Sequence, residues 1–339
     1  MSELRWHPLL DEWVAVAADR QVRPIALGGK ADTTASCPFC PGGAEGLNGP
    51  YEFVAFDNRF PSFGGSGDLS TGKRGTEGYA EGRSGGPLYR RMRGRGVCEV
   101  VLYSPNHDST LAEESRGHIF RLVEVWRDRY LELAARPDVK YVYIFENKGA
   151  VIGVTLTHPH GQIYAFPFIP PRVEREIRAE ARYFRRHRRC MLCDMVRTEM
   201  AQRARIVARN AAFAAYIPFF ARYPYEVHIV SRRHFGHLGQ MTKGERWALA
   251  GILKTILVKY DNLFGFSMPY IMLMHQTPTG ETARRRYSSH HFHVEFYPPH
   301  RSRDKIKYLA GCESGAGTFI NDTIVEEKAA ELRRTPPKS

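Results

Sequence analysis

The sequence predicts an α+β protein, a duplicated unit in which each copy is a mainly antiparallel sheet with flanking helices. Two observations carry this. The same series of signals occurs twice: a C-x-x-C pair, an apolar strand ending at a histidine, a long amphipathic helix, then a strand and an H-x-H. The apolar segments "EVVLYSPNH" (99–107) and "EVHIVSRRH" (226–234) also match in pattern, each reading as a buried strand that ends at His107 or His234.

In the first copy, Cys37-x-x-Cys40 leads into "FVAFDNRFP" (53–61) and then the strand to His107. Thr110 and Glu113 have the spacing of a capping box, and Ile119, Leu122, Val123, Trp126 and Tyr130 share one helical face behind it. The strand "YVYIFEN" (141–147) follows, and the copy closes on His158-x-His160-x-Gln162. The second copy runs from Cys190-x-x-Cys193 through "FAAYIPFFARYP" (213–224) to His234. Thr242 and Glu245 then cap a helix carrying Leu249, Ile252, Leu253, Ile256 and Tyr260. It ends with "YIMLMHQ" (270–276) and His291-x-His293-x-Glu295. Cys40 and His107 are 67 positions apart (107 − 40), but Cys193 and His234 only 41 (234 − 193). The Gly-rich segment 64–96 accounts for the difference as an insertion, expected to be a mobile surface loop. The units are therefore 1–171 and 172–330, with a disordered tail at 331–339. Each alone would leave an open sheet edge, and the two can join edges into one sheet.

Neither an N-terminal apolar run nor a stretch of roughly 18 apolar residues is present, so a cytoplasmic protein without membrane contact is expected. The net charge of +13 favours anionic partners. Nucleic acid, nucleotides and sugar phosphates all qualify. The arginines are scattered rather than interleaved with aromatics, and runs such as 89–96 and 283–288 read as solvated faces. No nucleic-acid partner is expected.

Four of the six cysteines form the two C-x-x-C pairs, which in a cytosolic chain point to metal ligation more than to disulfides. Cys37, Cys40, His107 and His158 form one zinc set of two thiolates and two imidazoles. Cys190, Cys193, His234 and His291 form a second, unless that pair is a vestige of the duplication. Cys98 and Cys312 read as buried thiols.

On a strand, His158, His160 and Gln162 project to one side. With His158 on the metal, His160 stands beside it on a rigid edge. A neutral imidazole attacks phosphorus when one ring nitrogen is hydrogen-bonded and the other carries the lone pair. Gln162 supplies an amide donor for a phosphoryl oxygen, and Gly161 would let substrate approach the backbone.

The segment "ENKGAVIGVTLTHPHGQIYAFP" (146–167) resembles the active-site segment of the galactose-1-phosphate uridylyltransferases, a branch of the histidine triad superfamily. The likeness extends through "EWVAVAADRQVRP", "SPNHDSTL", "ERE" at 174–176, "YDNLFGFSMPY" and "FHVEFYPP". It implies two histidine-triad-like halves and a ping-pong reaction. His160 would take the uridylyl group from UDP-glucose, releasing glucose 1-phosphate, and pass it to galactose 1-phosphate to give UDP-galactose. By the same resemblance, Gln162 binds the phosphoryl oxygens, and Asn58, Asn147, Gly153 and Thr155 contact the nucleotide. Arg20, Arg23, Lys307 and Glu313 match positions that grip the hexose phosphate, partly across a homodimer.

Some members of the family hold a second metal, often iron, on a glutamate and three histidines. Glu176, His275 and His293 match three of those places, and Glu295 takes the fourth. The second metal is accordingly zinc on the cysteines, iron on the carboxylate set, or absent. His293 and Glu295 would otherwise be only a salt-linked strand-end pair. Three other activities remain: transfer from another nucleotide sugar such as ADP-glucose, transfer to another acceptor such as inorganic phosphate, and hydrolysis. Histidine-triad hydrolases carry a third histidine where Gln162 stands. An amide cannot protonate a leaving group, so Gln162 favours transfer. A non-enzymatic zinc protein that binds nucleic acid is the remote alternative.

Overall fold

A computed structural model describes residues 2–22, 34, 37–45, 49, 51–64 and 88–337. In chain order the strands are β1 (Ser2–His7), β2 (Glu12–Ala17), β3 (Val54–Asp57), β4 (Arg91–Arg93), β5 (Val97–Leu102), β6 (Tyr141–Lys148) and β7 (His160–Phe166). They continue as β8 (Ile206–Arg209), β9 (Phe213–Tyr216), β10 (Val227–Ser231), β11 (Tyr270–His275), β12 (His293–Tyr297), β13 (His300–Ser302) and β14 (Lys305–Ile306). The helices are α1 (Arg116–Ala134), α2 (Pro171–His187), α3 (Met191–Gln202), α4 (Lys243–Phe264), α5 (Glu281–Arg286), α6 (Gly311–Gly315) and α7 (Val325–Arg334).

Nine strands form one antiparallel sheet in the order β3-β5-β7-β6-β11-β12-β10-β9-β8. The duplication is visible in that order. Strands 3-5-7-6 of the first copy are mirrored by 9-10-12-11 of the second, and the copies meet at β6 and β11, where Met272 pairs with Glu146. The expected edge-to-edge union is therefore made. Residues of α1 and α4 join Val101, Ile144 and Ile163 in the main core beneath one face of the sheet. Alternation then delivers His160, Gln162 and Tyr164 to the other face. Among the described residues, no helix is long and apolar enough to cross a membrane.

Helix starts divide between the two copies. Thr242 and Glu245 form the expected capping box on α4. In the first copy the Glu113 carboxylate accepts from the Thr110 amide at 2.8 Å, but the helix begins later, at Arg116. Ser115 caps it instead, accepting from the His118 amide at 3.1 Å. Ser115 is itself a strong capping residue and stands nearer the apolar stripe.

Three further expectations are corrected. Within 64–96, residues 65–87 lie outside the described residues, but 91–93 form β4, which pairs with β1. Cys312 is exposed, on α6. The tail expected to be disordered from residue 331 is ordered to 337, because α7 docks on α4. The buried Lys259 ammonium donates to the carbonyls of Leu332 (3.1 Å), Arg333 (2.8 Å) and Thr335. That contact makes the terminus a structural element, since a buried ammonium needs acceptors. Deleting residues 331–339 should therefore destabilise the fold by about 1–3 kcal/mol or more. Urea unfolding measures this, and an unchanged midpoint would contradict the assignment.

Candidate active site and metal centres

Strand β7 aims the chemistry. It lies between β5 and β6, with Gln162 opposite Val100 on one side and Phe145 on the other. Gly161 faces the core, where an added Cβ would lie 1.8 Å from the Tyr103 hydroxyl. The glycine thus admits a core tyrosine, rather than a substrate as its position beside His160 suggested.

His160 Nδ1 lies 2.8 Å from the carbonyl oxygen of His158. A carbonyl only accepts, so Nδ1 carries the proton and Nε2 the lone pair. His160 and Gln162 line a pocket together with Arg20, Asn147, Gly153 and Thr155. Gly153, in the pocket lining, has φ of 82°, a left-handed conformation that favours glycine. Phe145 and Tyr164 line it too and went unnoticed in the sequence; strand alternation from Asn147 and from Gln162 points to both.

Other expected residues stand elsewhere. Asn58 does not line this pocket, and its side chain accepts from the Phe60 amide at 2.8 Å. Arg23 lies outside the described residues. Lys307 is buried and donates to Glu313 at 3.0 Å, and neither lines the pocket.

Cys37, Cys40, His107 and His158 converge, all buried. Tetrahedral zinc, with bonds of about 2.3 Å to sulfur and 2.0–2.1 Å to nitrogen, sets sulfur and nitrogen about 3.6 Å apart. Cys40 Sγ lies 3.5 Å from His107 Nδ1 and 3.6 Å from His158 Nδ1. The opposite ring nitrogens are held by Thr157 Oγ1 (3.1 Å) and the Ser104 carbonyl (2.8 Å), the outer hydrogen bonds that orient metal-binding imidazoles. Burial pushes the Cys37 thiol up to about 12, so a cation is what would make it a thiolate.

The second set repeats the pattern. Cys190 caps α3, and its Sγ lies 3.4 Å from His291 Nδ1. Cys193 Sγ lies 3.4 Å from His291 Nδ1 and 3.8 Å from His234 Nδ1. Ser231 Oγ (2.7 Å) and the Ser288 carbonyl (2.9 Å) hold the other nitrogens. The hydrogen bond from Cys190 draws the Cys193 thiol down to about 3, and the same contact, with burial, raises Cys190. Both sets fit zinc by donor type and spacing.

Residues 1–170 match the family model for "Galactose-1-phosphate uridyl transferase, N-terminal domain", and residues 176–337 match its C-terminal counterpart. The chain belongs to the galactose-1-phosphate uridylyltransferase family. The enzyme of that name from Thermotoga maritima is 41% identical, over 99% of each chain. The Rattus norvegicus enzyme is 33% identical, over 99% of this chain and 88% of its own. A solved uridylyltransferase structure superposes with a TM-score of 0.82 at 32% identity, covering 98% of both chains.

The remaining cluster departs from the four-ligand set implied by resemblance to the uridylyltransferases. Glu176, His275 and His293 bring ligand atoms within 4.8 Å of one another. Glu176 and His275 Nδ1 are 2.6 Å apart, a hydrogen bond. Glu295 is not part of that group. Its carboxylate accepts from Arg172 Nη2 at 2.8 Å and from the Tyr297 hydroxyl, and lies 3.3 Å from His228 Nε2. Burial would lower the His293 pKa, but the hydrogen bond to Glu295 raises it to about 9. Burial would likewise raise Glu176, yet the charge of His275 holds it at about 2. The expected fourth ligand is thus tied to a guanidinium.

Proposed function

We propose that this protein moves a uridylyl group between UDP-glucose and galactose 1-phosphate through a covalent intermediate on His160. The observation that carries this is the His160 ring, its Nδ1 held by the His158 carbonyl, in a pocket that Gln162 also lines. The lone pair attacks the α-phosphorus, and the bond to the bridging oxygen breaks with its electron pair leaving on glucose 1-phosphate. The Nδ1 proton stays on the ring and shares the new positive charge with the His158 carbonyl. A phosphate oxygen of galactose 1-phosphate then attacks the same phosphorus and returns the lone pair to Nε2. The leaving group is a phosphate ester that departs as an anion. No proton donor is needed, which suits an amide at Gln162.

Zinc bound by Cys37, Cys40, His107 and His158 would tie the 37–40 turn to two strand ends and hold the His158 backbone beneath His160. Zinc on Cys190, Cys193, His234 and His291 would do the same for the second copy. The Glu176, His275 and His293 cluster takes no ion in this reading, because Arg172 already supplies positive charge to Glu176 and Glu295. The protein acts as a cytoplasmic homodimer. Lys307 and Glu313, their side chains buried against one another, sit beside the exposed Tyr308, Leu309 and Ile320, apolar surface suited to a partner subunit.

Parallel double-reciprocal lines for the two substrates are expected, with His160→Gly losing roughly 10⁴-fold or more in turnover. Intersecting lines, or a variant that keeps its activity, would contradict the covalent route. Faster turnover of ADP-glucose with inorganic phosphate than of UDP-glucose with galactose 1-phosphate would replace the substrates named here.

Metal analysis should find two zinc ions per chain, one for each cysteine set. Cys37→Ser and Cys193→Ser should each remove one, and only the first should abolish transfer. Iron in stoichiometric amount, or a third ion, would contradict the assignment.

A further inference from the structure

Nothing in the motif says which end of the Gln162 amide faces the reacting phosphate. A chain of four side chains in the structure bears on that choice. Arg20 Nη1 donates to Ser62 Oγ at 2.7 Å, and also to the Phe60 carbonyl at 3.1 Å. Ser62 Oγ lies 3.3 Å from the Tyr164 hydroxyl. The Tyr164 hydroxyl donates to Gln162 Oε1 at 3.3 Å. Strand alternation explains the last contact, since residues 162 and 164 of β7 share the pocket face. The segment after β3 brings Ser62 to them from a hundred residues away.

The donor order follows from the chemistry of each group. A guanidinium only donates, so Ser62 accepts from Arg20. Ser62 has one proton, and its Oγ lies 3.3 Å from the Tyr164 hydroxyl, a pair in which either oxygen could donate; a Tyr164 proton committed to Gln162 leaves Ser62 as the donor. Tyr164 has one proton as well, and passes its hydrogen bond to the amide oxygen. We propose that Arg20, Ser62 and Tyr164 form a hydrogen-bond relay that locks the Gln162 amide with Oε1 turned to Tyr164 and its NH2 donors turned to the phosphoryl oxygens. This rests on the uridylyl-transfer reading of the same pocket. Tyr164 and Ser62 are positioning residues, acting through Gln162.

The effect belongs to the transition state. Donors already aimed at oxygens that gain charge need no reorganisation as the phosphorus–nitrogen bond forms. An amide able to flip would present its carbonyl oxygen to those anions for part of the time, and repel them.

The test is a double-mutant cycle on the first half-reaction, the single-turnover uridylylation of His160 by UDP-glucose. Tyr164→Phe keeps the ring and removes the relay's last donor. It should lower the rate about tenfold, the worth of one well-placed hydrogen bond, with the UDP-glucose concentration at half-maximal rate nearly unchanged. In a Gln162→Ala background the same change should have no further effect. Ser62→Ala should act in the same direction, and Ser62→Thr should restore the rate. Full additivity of Tyr164→Phe with Gln162→Ala would overturn the relay, as would a loss confined to UDP-glucose affinity. A second readout is independent of catalysis: the side-chain amide ¹H–¹⁵N signals of Gln162 in the unliganded protein should move on Tyr164→Phe. Unmoved signals would overturn the relay even where the protein transfers no uridylyl group. A wild type without uridylylation but with moving signals would sink the functional reading alone.

Discussion

The proposed catalysis hangs on one residue in two roles, His158. Its ring faces Cys40 across 3.6 Å, in the spacing of a tetrahedral metal site. Its carbonyl accepts from His160 Nδ1. The first role fixes the backbone and the second uses it to choose the tautomer of the next histidine but one. Pro159 between them limits the backbone freedom of the link. In the proposed reaction an imidazole held in this way needs no separate base, because the Nδ1 hydrogen bond leaves the lone pair of the neutral ring on Nε2.

The second copy shows what the first has kept. His293 Nδ1 lies 2.9 Å from the His291 carbonyl, the same relation with the same metal-set histidine before it. Yet His293 and Glu295 are buried, and the carboxylate raises the imidazole toward the protonated form. A protonated ring has no lone pair to give. The Arg172, Glu176, His228 and Glu295 contacts therefore turn a repeat of the His160 strand end into an ion-paired strut between α2 and the sheet. Duplication supplied two matching strand ends, and a glutamate in place of a glutamine separates their fates.

Much of this was legible because period and spacing are local. The doubled order of signals foretold the mirrored sheet, and H-P-H-G-Q with its two cysteines pointed to the pocket that His160 and Gln162 line and to the buried Cys and His group beside it. The misses have tertiary causes. Thr110 and Glu113 satisfy the capping pattern, but Ser115 lies closer to the buried face and starts the helix. The end of the chain looks polar and proline-rich, yet a buried lysine on α4 recruits its carbonyls. Tyr103 explains Gly161 only once the opposite face of β7 is seen. Arg172 carries no motif, and its pairing with Glu295 joins positions 123 apart in sequence.

The claim on which the rest stands is the tautomer of His160. It can be read from the ring ¹⁵N chemical shifts of histidine-labelled protein at neutral pH, with the His160 signals assigned by their loss in His160→Asn. The account predicts a neutral ring with the proton on Nδ1 and an unprotonated, pyridine-like Nε2. A proton on Nε2, or a doubly protonated ring, would contradict it.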